Sequence, residues 1–172
     1  MIKFILGIII GAAVLLLVEF LWATRGGLSM AAAASPLPGE RYLVHHAIDT
    51  SIGRAAQDQS PVSPDEANLI AGAKVYQQYG CIGCHGSYGQ GPGELSKRMY
   101  PHIPPLLPPS TGVTDDPVGA TRWVVRNGIR FSGMPAFDGM LNETQQWQVS
   151  QLLAHAGQLS PAVRKELGGK PE

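Results

Sequence analysis

The sequence carries no excess charge of either sign: 13 Lys and Arg stand against 13 Asp and Glu in 172 residues. A nucleic-acid binder normally shows a basic patch or stripe, so that class is set aside. Cysteine is equally scarce, with only Cys81 and Cys84 present. Two thiols cannot build a four-ligand zinc site without further Cys or His at suitable spacing, and none is suitably placed. No internal repeat and no convincing strand alternation occur, which leaves an all-α reading. Gly (21) and Pro (14) make up about a fifth of the chain. That is below the level of a disordered sequence, but their clustering between residues 86 and 135 predicts a loop-rich middle.

One long apolar run is present. Phe4–Trp22 ("FILGIIIGAAVLLLVEFLW") has 19 residues and one charge, Glu19. At about 1.5 Å per residue it reaches roughly the ~30 Å of a hydrocarbon core. A secretory signal has a shorter apolar region. An uncleaved anchor over residues 1–24 is therefore expected, although the small residues of Met30–Ser35 would also suit a peptidase. Lys3 and Arg25 flank the run, so charge barely decides orientation. Gly7 and Gly11 have a GxxxG spacing, which ordinary glycine usage in a membrane helix also explains.

Residues 25–64 read as a linker containing an amphipathic helix at about 40–57. Its apolar residues, Leu43, Val44, Ala47, Ile48 and Ile52, recur at helical spacing. The stripe could lie on the membrane, on the downstream domain or on a partner. His45 and His46 are read as ordinary polar helix residues. Ser63, Pro64 and Glu66 fit a capping box with proline at the first helical position. The helix they open, Asp65–Tyr79, carries Leu69, Ile70, Ala73 and Tyr76 on one side. Further helices are expected from Asp116–Pro117 to a stop at Asn127–Gly128, and over Asn142–Ala156 with Trp147, Val149, Leu152 and Leu153. Residues 65–160 form the expected domain, and 161–172 a tail.

Cys81-Ile82-Gly83-Cys84-His85 has the C-x-x-C-H spacing of c-type haem attachment. Two thiols three positions apart can add to the two vinyl groups of one haem, and the next residue can bring an imidazole to the iron. A thioredoxin-like dithiol would want a βαβ setting, which is absent. Because apocytochromes receive haem outside the cytoplasmic membrane, residues 25–172 should face the periplasm. Both thiols would be consumed as thioethers, so no disulfide is expected.

"YGCIGCHG", the preceding helix with Gly72 and Tyr76, and the late "GMPAF" (133–137) together resemble a class I c-type cytochrome domain. "MYPHIPPLLPP", "NGIRFSGMPAF" and "WQVSQLL" resemble the membrane-anchored monohaem cytochromes of bacterial respiratory proteins. The resemblance implies a small helical domain around one covalent haem c, with His85 and Met134 as metal ligands. Met99, Met140 and His102 remain alternative sixth ligands. It also implies a proline carbonyl that accepts from His85, two residues before a haem-packing leucine. Pro104 with Leu106 fits, and Pro105 with Leu107 is nearly as good. Trp123, Arg126 and Arg130 are candidate donors to the haem propionates, with solvated surface residues as the plainer reading. Tyr76 and Trp147 are expected to pack the first domain helix against the last.

A His/Met pair raises the potential and leaves no open position on iron. The expected function is therefore single-electron transfer, without catalysis and without a small-molecule substrate. Residues 65–160 hold six basic and seven acidic side chains. No charge ring for steered docking stands out, and a tethered domain gains local concentration from its anchor instead. Redox partners within a membrane complex are thus expected. A haem with an exchangeable sixth ligand, serving catalysis or gas sensing, is one alternative. A mainly assembly-type subunit is another.

Overall fold

The computed structural model describes residues 1–169 and has no β-strand among them. The chain divides into two compact units, Met1–Ser35 and Pro36–Glu172. In the first, helix α1 (Ile2–Trp22) has no buried residue and is long and apolar enough to cross a membrane, as its composition predicts. The helical path runs on to Gly27 and breaks at Gly26, whose φ of +94° is left-handed. Thr24 Oγ1 donates to the Phe20 carbonyl at 2.8 Å and satisfies one of the terminal acceptors.

The second unit begins well before residue 65. Helix α2 (Glu40–Ile52) and the 3₁₀ turn Gly53–Gln57 fold against helix α6 (Val118–Asn127). Gly119 makes this possible, because a Cβ there would fall on the Ala55 carbonyl oxygen. The segment expected to be a linker is therefore an arm docked on the domain. Its apolar stripe splits: Ile48 and Ile52 are half-buried, whereas Leu43 is 65% exposed.

Helix α3 (Glu66–Gln78) starts two residues later than Ser63 and Pro64 suggest. Asp65 is the N-cap, accepting from Asn68 N–H at 2.9 Å, and Ser63 Oγ donates to its carboxylate at 2.6 Å. Asp65 and Ser63 are about equally good N-caps, and here the serine hydroxyl instead donates to the capping carboxylate. Glu66, freed from the expected box, accepts from Ser160 Oγ at 2.8 Å.

The core lies between α3 and helix α7 (Glu143–Ala154). Leu69, Ala73 and Tyr76 meet Val149, Leu152 and Leu153, all at 8% exposure or less. The helices cross closely because Gly72 lacks a Cβ, which would fall on the Gln148 carbonyl oxygen. Asn142 and Gln145 form a reciprocal capping box on α7. Trp147, expected to face α3, has the Arg122 guanidinium 4.6 Å above its ring and so joins α7 to α6.

The expected tail also folds. Helix α8 (Pro161–Glu166) is capped by Ser160, and Val163 and Leu167 are fully buried. Two apolar residues four apart are the helical spacing that lets a short helix close one end of the core. Leu167 then accepts through its carbonyl from Tyr88 N–H at 3.1 Å, bracing the loop that follows residue 85.

Candidate haem site

The cysteine motif forms a single-turn helix, α4 (Cys81–His85), bounded by two left-handed glycines, Gly80 (φ +82°) and Gly86 (φ +86°). Only glycine reaches such angles cheaply, so the turn starts and stops sharply. Side chains three apart share a helical face, which puts both thiols on one side. Cys81 is half-buried and Cys84 exposed. Burial pushes the Cys81 thiol up to about 11, keeping it protonated at neutral pH. Tyr76 lies beneath the turn with no exposed surface, and its hydroxyl donates to the Gly86 carbonyl at 2.9 Å.

His85 Nδ1 lies 2.8 Å from the Pro104 carbonyl oxygen. A carbonyl can only accept, so Nδ1 carries the proton and Nε2 keeps its lone pair. Burial pulls the His85 pKa below the usual imidazole value, and the Pro104 hydrogen bond pulls more weakly the other way. The ring is thus a neutral, oriented nitrogen donor at pH 7. Of the two leucines proposed beside the proline, Leu106 is half-buried against the core and Leu107 is inside it at 2% exposure.

Met134 is carried by the loop after α6. Gly128 ends that helix at φ +65°, and a Cβ on it would lie 2.7 Å from Ala136 N and Pro135 C. The loop doubles back against its helix at this point. Met134 N–H donates to Ser132 Oγ at 3.1 Å, and its carbonyl accepts from Ile129 N–H at 3.2 Å. Its side chain is half-buried against the core cluster. Phe131, in the same loop, is 87% exposed at φ +61°.

The remaining candidates are dispersed. Trp123 and Arg126 line a groove on α6 with Ala55 and Asp58 of the arm. Arg126 Nε meets Asp138 Oδ1 at 3.3 Å in an exposed pair, and Arg130 is exposed. Met140 is 58% exposed. Met99, by contrast, lays its methyl against Gly133, beside Met134. Sequence reasoning passed over that contact and the Ser132 hydroxyl. A serine two residues before the methionine is a turn signal that could have revealed the latter.

Haem is a broad apolar plate, and several apolar side chains near the motif turn and the Met134 loop are available to one. Tyr79, Cys81, Ile82, Tyr88, Leu106, Val113 and Met134 pack on the core yet stay only partly buried. An imidazole lone pair and two thiols adjoin them. Among the described residues no three His, Cys, Asp or Glu side chains converge on one point.

A family model described as cytochrome c oxidase, cbb3-type, subunit III matches residues 67–153, half of the chain. No curated protein and no solved structure matches it. The matched span opens in α3 and closes in α7, so it takes in the motif turn, the Pro104 loop and the Met134 loop. The chain belongs to this family of c-type cytochrome domains, which take haem c and transfer electrons, and it carries one candidate membrane helix at its N-terminus.

Proposed function

We propose that the chain binds one haem c through thioethers to Cys81 and Cys84, with His85 and Met134 as axial ligands. In this reading it passes single electrons on the periplasmic side between subunits of a membrane complex. The observation that carries the proposal is the His85–Pro104 hydrogen bond, which commits Nδ1 and leaves Nε2 as the one nitrogen able to ligate.

Haem, when bound, supplies a one-electron iron couple. His85 contributes a fixed neutral donor. A Met134 thioether favours the ferrous state, places the couple toward high potential and leaves no position for substrate. Gly128 and Ser132 hold the loop that presents that sulfur. The candidate membrane helix keeps the domain near membrane-bound partners, which makes up for its near-balanced charge. Haem attachment outside the cytoplasmic membrane supports the periplasmic placement.

Mass spectrometry after acid–organic extraction tests the attachment. A haem-sized addition that persists on the chain is expected, and a colourless, unmodified chain overturns it. Ferric spectra test the ligation. The thioether-to-iron charge-transfer band should be present in the wild type and absent in Met134→Ala. A wild type without the band rules out the sixth ligand proposed here.

A further inference from the structure

Residues 96–104 touch both ligand regions of the proposed site. At one end the Pro104 carbonyl accepts from His85 Nδ1. Near the other, Met99 seats its methyl on Gly133, the residue before Met134. A Cβ built on Gly133 would fall on Met99 Cε, with Met99 Sδ 3.6 Å away. Gly133 is not among the glycines of positive φ. No left-handed angle calls for glycine there, and the atom a Cβ would displace is the mobile end of the Met99 side chain, so a substitution at Gly133 acts by unseating that methyl.

The segment is itself braced. Ser96 Oγ donates to the Ile103 carbonyl at 2.8 Å, Met99 N–H donates to the Ser96 carbonyl at 3.3 Å, and His102 Nδ1 lies 3.1 Å from that same oxygen. A thioether arm with several rotatable bonds suits the irregular gap between such a segment and a loop. The hydrogen bonds of Ser132 and Ile129 are local to residues 129–134 and can survive if the whole loop swings away. Contact with Met99 ties the loop to a distant part of the chain and resists that motion.

We propose that Met99 is a positioning residue for the sixth ligand. Seated on Gly133, it holds the Met134 loop closed, so that one strap, Ser96–Pro104, orients His85 and secures Met134 together. This rests on the His85/Met134 reading. Loss of Met99 leaves the thioether bond formed but easier to displace.

The test uses the full chain as ferric holoprotein in detergent, titrated with imidazole while the charge-transfer band is followed. Met99→Ala is expected to keep the band without imidazole and to bind imidazole roughly tenfold tighter, the effect of losing about two methyl-sized contacts from the closed loop alone. Met99→Leu, which restores bulk, should stay within about twofold of wild type. Gly133→Ala should also tighten imidazole binding in the wild-type background. Where Met99 is already alanine it should add less than about twofold, because the space it needs is vacant.

The proposal is overturned if Met99→Ala titrates like wild type, or if the two substitutions act independently. Loss of the band in Met99→Ala before any imidazole is added also overturns it, since Met99 would then itself be the ligand. A wild type that lacks the band removes the His85/Met134 reading and this role with it, and that failure is visible without any substitution.

Discussion

Gly128 is where the fold meets the loop of the proposed sixth ligand, and Gly128→Ala separates two costs that glycine hides. The first is conformational: at φ +65° and ψ −172°, a region essentially kept for glycine, an L-residue loses about 1–3 kcal/mol. The second is steric. The new Cβ would lie 2.7 Å from Ala136 N and Pro135 C and 2.8 Å from the Met134 carbonyl, against an ordinary contact of 3.4 Å or more. The Met134 loop must retreat by about 0.7 Å, an overpacking that costs typically 1–3 kcal/mol. The total is about 2–6 kcal/mol. Gly139→Ala is the control without the steric cost, because Gly139 sits at φ +77° with nothing within 4 Å of its Cβ position. It bears only the conformational cost of about 1–2 kcal/mol.

Denaturant unfolding of the two variants measures the difference, and the reduction potential shows where it acts. Gly128→Ala should lower the potential and weaken the charge-transfer band, because the displaced loop holds its sulfur less well. Gly139→Ala should leave both unchanged. Equal destabilisation by the two substitutions, or an unshifted potential in Gly128→Ala, would refute the claim that Gly128 positions the ligand loop.

Tyr76→Phe removes the donor to the Gly86 carbonyl from a fully buried ring, and should cost about 1–3 kcal/mol in unfolding free energy with an unchanged denaturant slope. Gly119→Ala should push the Ala55 carbonyl off α6 and undock the arm; limited proteolysis should then cut near Ala55–Asp58 while the haem spectrum is retained. Acid unfolding should depend on Asp65. Hydrogen bonds from Ser63 and then Asn68 hold its carboxyl below the usual carboxylate range, so its contribution is present above the unfolded value and is lost as pH falls through the lower folded value. Asp65→Asn should therefore flatten the acid limb of a stability–pH curve. Asp116 has the opposite sign. Burial, then Asp115 and Asp49, raise its pKa, so a penalty to folding sets in as pH rises past the unfolded value and is complete above the raised one. Asp116→Asn should raise the melting temperature at pH 7 and lose that advantage below about pH 4.

Much of the molecule was decided by contacts within a few residues of one another. The run Phe4–Trp22, the turn Cys81–His85, the stop at Gly128 and the Asn142 cap are local, because hydrophobic length, thiol spacing, left-handed glycine and side-chain capping act along the chain itself. The sequence by itself therefore determined the candidate membrane helix and the all-helical domain, and it named the residues proposed for a haem. Only the tertiary structure decided which partners met across long separations. Pro104 rather than Pro105 bonds His85, Gly119 receives the arm, Trp147 turns to Arg122, α8 closes the core, and Met99 settles on Gly133. Such choices depend on how closely two backbones can approach, which three-dimensional packing sets and residue order alone does not reveal.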